Sequence, residues 1–174
     1  KNSNSLIMDV DQEVYILKSE GGNGPEFRIP KDSVGLSRVL SDLEGDDAIE
    51  LNFSAQTLSK ILEYLNKYKN NAPASIERPL RAKVLKEVVS EWDAAFVELE
   101  IPDLYDLLCA AHLLDIAPLV NLCGAKVATL IDRKNAEQIR EVFGLTNDLT
   151  PEQQESAKKE YHSILLDEIQ APTS

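Results

Sequence analysis

Residues 139–154, Ile-Arg-Glu-Val-Phe-Gly-Leu-Thr-Asn-Asp-Leu-Thr-Pro-Glu-Gln-Gln, read as the end of one short helix, a stop, and the start of another. Gly144 follows Phe143 where a helix C-terminus favours a left-handed residue. Thr150-Pro-Glu-Gln153 is a capping box in which threonine caps, proline takes the first helical position and glutamine the third. Asn135-Ala-Glu-Gln138 resembles a second box upstream. Between them, Ile139, Val142, Phe143, Leu145 and Leu149 put five apolar side chains within eleven residues. Ordinary packing is one use for them; a groove that receives a partner's helix is the other.

Helical patterns continue on both sides of this stretch. Pro102 suits a first turn, and Leu104, Leu107, Leu108, Ala111 and Leu114 make one apolar face. Pro118 opens another helix with the stripe Leu119, Leu122, Cys123, Val127, Leu130 and Ile131. The last helix, from about Pro151, carries Ala157, Tyr161, Ile164 and Leu165.

The N-terminal part has a different period. Residues 14–19 are strand-like, Gly21-Gly-Asn-Gly24 supplies a turn, and Glu26–Pro30 alternates polar with apolar, which predicts a hairpin. Leu36, Val39, Leu40 and Leu43 recur at helical spacing with Asp32 or Ser33 as the cap. Ala48–Leu51 reads as a third strand, and Ser54 caps a helix with the stripe Leu58, Ile61, Leu62 and Leu65. Residues 67–81 are polar and proline-containing, a mobile loop. Helix is expected again over Val84–Val89, followed by Glu91–Phe96. A small sheet flanked by helices and extended by more helices is an α+β arrangement.

Composition narrows the function classes. The 174-residue chain carries 43% hydrophobic and 28% charged residues, ordinary values for a globular protein able to bury a core. Its net charge of −12 repels phosphate backbones and anionic lipid, so no nucleic-acid or membrane partner is expected. Two cysteines, Cys109 and Cys123, are too few for a disulfide scaffold. The absence of a signal-like opening or a membrane-length apolar run completes the expectation of an intracellular, soluble chain.

Catalytic chemistry finds little to work with. Cys109 and His112 stand i, i+3, but the cysteine lies on an apolar helix where an inert thiol is the ordinary reading. Neither histidine, His112 or His162, combines with the cysteines at structural-zinc spacing, so no metal is expected. Gly21–Gly24 lies between strands and lacks the order of a phosphate cradle. No cofactor is implied, and the chain is expected not to be an enzyme.

Several runs resemble one family closely: Trp92-Asp-x-x-Phe96, Leu104-Tyr-Asp-Leu-Leu-Cys-Ala-Ala-His-Leu-Leu-Asp-Ile116, Val127-Ala-Thr-Leu-Ile131 and the gapless stretch Gln138–Glu152. They are similar to the S-phase kinase-associated adaptors, which join F-box proteins to a cullin in ubiquitin ligases. The resemblance is strong over 91–160 and weaker over 6–66. It implies a BTB/POZ core over 6–117, with the loop at 67–81, and a C-terminal helical extension over 118–169. It also implies an F-box-contacting set: Leu122, Val127, Leu130, Ile131, Ile139, Val142, Phe143, Leu145, Asn147, Asp148 and Leu149.

Three departures qualify what the resemblance implies. His112 and Leu113 stand where the family usually has Asn-Tyr on its cullin face. Arg133 replaces the usual glycine after the Ile131 helix, and Tyr161-His-Ser-Ile164 occupies the region of the usual Asn-Gln-Trp tail. Pro151 matches a proline that is hydroxylated and glycosylated in family members from some unicellular eukaryotes. The implied function is a non-catalytic cytoplasmic and nuclear adaptor between F-box receptors and a cullin. The alternative is a structural F-box-binding subunit of a cullin-free assembly, of the kinetochore or proton-pump assembly type. Self-association into a homodimer stays open when no F-box partner is bound.

Overall fold

In a computed structural model, residues 14–43 and 48–170 are described, with side chains through Tyr161. The expected start of the core at residue 6 and the side chains of His162, Ile164 and Leu165 lie outside the described residues. Strand β1 (Val14–Lys18) pairs antiparallel with β2 (Glu26–Pro30), placing Val14 opposite Pro30 and Lys18 opposite Glu26. Alternation turns Tyr15 and Leu17 inward at 6% and 0% exposure. The turn closes tightly, with Ser19 Oγ donating to the Pro25 carbonyl at 3.1 Å. A Cβ at Gly24 would run into that hydroxyl, so only glycine fits.

Strand β3 (Ile49–Glu50) pairs parallel with β1, giving the order β2-β1-β3 and making β1 central. Parallel pairing needs a crossover, and α1 (Arg38–Ser41) lies within it. Its cap is Ser37, not the expected Asp32 or Ser33, which lie at the Lys31–Ser33 3-10 turn. Ser37 Oγ accepts from the Leu40 amide at 3.1 Å and donates to the Leu114 carbonyl at 2.5 Å. A contact 77 residues away in the chain thus helps hold this cap in place.

Helix α2 (Ala55–Lys67) is capped by Ser54 as expected and buries Leu58, Ile61 and Leu65. No helix or strand occurs over 68–84, although Ile76 and Leu80 pack against the core. The helix expected over Val84–Val89 is a single 3-10 turn, Leu85–Glu87. Helix α3 (Glu91–Phe96) follows, capped by Ser90. Its Trp92-Asp-x-x-Phe96 pattern has a packing reason. Trp92 and Phe96 stack with centroids 4.8 Å apart, and Tyr64 and Tyr68 complete the cluster. The buried Asp93 carboxylate accepts from the Tyr68 hydroxyl at 2.8 Å and from Ser90 Oγ at 2.7 Å, which offsets its desolvation.

Helix α4 (Ile101–Leu113) presents Leu104 and Leu107 to the core. It ends with Asp115 at φ 48°, as the Ile116 amide donates to Ala111 and the Asp115 amide to His112. Helix α5 (Ala117–Ile131) packs on α4 and buries Leu119, Leu122 and Cys123. Those contacts explain why the chain divides into compact units after Asp132, beyond the 117/118 boundary expected from sequence. The second unit holds α6 (Ala136–Phe143) and α7 (Pro151–Gln170). This is the α+β architecture expected of the chain: a three-stranded sheet with helices, followed by further helices.

Candidate partner-binding surfaces

Local hydrogen bonds set the second unit's helix boundaries. Asn135 Oδ1 accepts from the Gln138 amide at 2.9 Å, and Gln138 Oε1 accepts from the Asn135 amide at 3.1 Å. Gly144 adopts φ 62°, and the Leu145 amide reaches back to the Arg140 carbonyl at 2.8 Å. Asn147 Oδ1 then accepts from the Leu149 amide at 3.3 Å, so this side chain shapes the turn. Thr150 and Gln153 complete the next capping box at 3.3 and 2.8 Å. At that helix start, the backbone amide of Glu152 and the Thr150 hydroxyl hold the Glu152 carboxyl below its usual range.

What this scaffold presents is apolar and uncovered. Ile139, Val142 and Phe143 share one face of α6 and are half-buried, while Leu145 is 59% and Leu149 38% exposed. Among the described residues of this unit no side chain is fully buried. Asn147 and Asp148 are exposed at the turn. Pro151 is likewise exposed, at the first position of α7.

In the first unit, α5 carries the other residues of the implied F-box set. Val127 and Leu130 are half-buried against the core and Ile131 is 37% exposed. Leu122 departs from expectation. At 2% exposure it is a core side chain and offers no surface contact, because the helix turns it toward the domain interior. Arg133 adopts φ 55°, so the left-handed geometry is kept with an arginine at a backbone cost of about 1 kcal/mol.

His112 and Leu113 both lie exposed at the end of α4, Leu113 by 54%. Sequence reading missed their companion Tyr105, 63% exposed two turns earlier, because the Leu/Ala face of α4 dominated the pattern. The Tyr105 hydroxyl is pushed up from its usual range by hydrogen bonding with the Cys109 thiol. Cys123 is fully buried and burial pushes its thiol up to about 12, away from nucleophilic chemistry at neutral pH. Among the described residues no three His, Cys, Asp or Glu side chains gather as a metal site. No described helix is long and apolar enough to cross a membrane.

A small mixed sheet with helices, followed by a helical unit with an exposed apolar face, is consistent with a BTB-like fold and C-terminal helices. Comparison with known proteins sharpens the class. The family described as "Skp1 family, dimerisation domain" matches residues 117–164. The S-phase kinase-associated protein 1 homolog of Tetrahymena thermophila is 39% identical over 156 residues, covering 88% of this chain and 85% of that protein. SKP1-like protein 1A of Arabidopsis thaliana is 30% identical, covering 83% and 92%. The SCF ubiquitin ligase complex protein SKP1a of Dictyostelium discoideum is 31% identical, covering 83% and 93%. The chain belongs to the Skp1 family.

Proposed function

We propose that this chain is the non-catalytic adaptor of an SCF-type ubiquitin ligase, seating an F-box protein on its C-terminal helices and a cullin on its core. The names of two relatives support the assembly: an SCF ubiquitin ligase complex protein in Dictyostelium discoideum and the E3 ubiquitin ligase complex SCF subunit sconC in Arthroderma otae. The observation that carries the F-box half is the uncovered apolar face of the second unit. Leu145 and Leu149 are exposed in the free chain, and each would gain burial free energy beneath a partner's apolar helix. Phe143 is the large anchor, Val127, Leu130 and Ile131 extend the apolar set on α5, and Asn147 and Asp148 supply polar contacts that fix register.

The exposed His112 and Leu113 support a cullin contact on the core, although they replace an amide and a phenol with an imidazole and an aliphatic side chain. That replacement keeps the cullin-free structural subunit as a second reading. Pull-down of the full chain with an F-box protein and, separately, with a cullin N-terminal region distinguishes the two. Binding to both supports the ligase adaptor, binding to the F-box protein alone supports the structural subunit, and binding to neither removes both readings. We also propose Pro151 as a modification site, given its exposure beside Thr150. Intact mass of the natively produced protein, without added oxygen or sugar on this peptide, would remove that assignment.

A further inference from the structure

The first unit holds a groove that the adaptor reading leaves unused. About 510 Å³ in volume, it runs beside the 3-10 turn Leu85–Glu87, α3 and α5. Its apolar lining is Val84, Leu85, Ala94 and Ala95, and Val84 is 45% exposed. The charged lining is Lys83, Lys86, Glu91 and the pair Glu98–Lys126. That pair is internally satisfied: Lys126 Nζ stands 2.6 Å from Glu98 Oε2, and the lysine side chain is only 10% exposed. Glu91 lies in the first turn of α3, where the helix dipole already engages it. Lys83 and Lys86, by contrast, form no ion pair with any described residue.

The groove therefore carries surplus positive charge in a chain whose net charge is −12. Upstream, the acid-free run 78–86 is bounded by Glu77 and Glu87, and Arg81 is paired with Glu77 at 2.7 Å, so the uncompensated charge at the groove is that of Lys83 and Lys86. A local inversion of this kind selects and steers anionic partners. An apolar floor of this size fits side chains of a peptide better than a bare anion. It faces largely away from the α5 set: at about 100° per residue its lining residue Thr129 lies roughly 160° around α5 from both Val127 and Ile131, while Lys126, one turn before Leu130, forms its border.

We propose that this groove is a docking site for an acidic amphipathic segment of a partner protein. Apolar side chains of the segment would rest on Val84, Ala94 and Ala95 while its carboxylates meet Lys83 and Lys86.

The test is selection of random twelve-residue peptides displayed on phage against the full chain, with Lys83→Glu/Lys86→Glu as the comparison. Both lysines are exposed, so the variant is expected to melt with the parent. Enriched peptides should carry at least two acids flanking apolar residues and bind the parent at least tenfold more tightly than the variant. They should protect amides of residues 83–95 from exchange and weaken as salt rises. No enrichment, peptides without acidic bias, equal binding to the variant, or protection elsewhere would each overturn the proposal. A change in the free chain's oligomeric state on charge reversal would assign the face to a second copy instead, which also overturns it.

Discussion

Leu145 and Leu149 give the partner-seat reading a quantitative test. Fully burying a leucine contributes about 1.5–3 kcal/mol. With 59% of Leu145 exposed in the free chain, a partner that covers it gains about 0.9–1.8 kcal/mol, and with 38% of Leu149 exposed a further 0.6–1.1 kcal/mol. The double variant Leu145→Ala/Leu149→Ala should therefore weaken F-box binding by about 1.5–3 kcal/mol, some ten- to a hundredfold in Kd. Taken singly, each change should cost the free chain less than a core leucine does, because part of each side chain is exposed before any partner binds. Leu104→Ala supplies the contrast. At 2% exposure the same chemistry should cost about 2–5 kcal/mol of folding stability. Isothermal titration with a purified F-box protein and thermal melting of each variant measure the two quantities. Unchanged affinity in a folded double variant would refute the reasoning, as would a stability loss from either single change as large as that of Leu104→Ala.

The remaining predictions concern the scaffold. Gly144→Ala forces a Cβ into a left-handed turn at φ 62° and should cost about 1 kcal/mol, read as lower helicity and faster amide exchange at the end of α6. Gly124→Ala should do the opposite, adding about 1 kcal/mol by urea unfolding, since a Cβ there meets nothing within 4 Å and alanine favours the helix. Burial pushes the Cys123 thiol up to about 12; burial together with the Asp93 carboxylate does the same for the Tyr68 hydroxyl. Both groups ionise more readily once unfolded, at about 8.5 and 10 respectively, so their contribution is whole below about pH 8.5 and lost as pH rises toward 12. Unfolding midpoints from pH 7 to 11 should show that decline, and Cys123→Ala should remove its earlier part.

Much of the fold was legible because it is written in short-range chemistry. Ser54, Asn135, Gly144 and Thr150 each act on atoms within five residues, and each does in the structure what its position suggests. Long-range contacts were not legible. Ser37 caps α1 partly because its hydroxyl meets the Leu114 carbonyl, a partner that no local pattern reveals. The parallel pairing of β3 with β1 depends likewise on the crossover and not on the two-residue strand itself. For the candidate surfaces, the α5 stripe was visible but its division was not. Leu122 turns into the core while Ile131 faces outward, and one apolar periodicity covers both. Tyr105 was overlooked because a lone aromatic on the outer face adds nothing to a helical repeat. The groove near Lys83 could have been suspected from the acid-free run 78–86, although its apolar floor comes from α3 and required the tertiary structure.

The bridging role is tested most directly by mixing the full chain with an F-box protein and a cullin N-terminal region, then measuring mass by size-exclusion chromatography with light scattering. The account predicts a single species with the mass of one copy of each component, lost when this chain is omitted. Separate F-box and cullin peaks in the presence of this chain would contradict it.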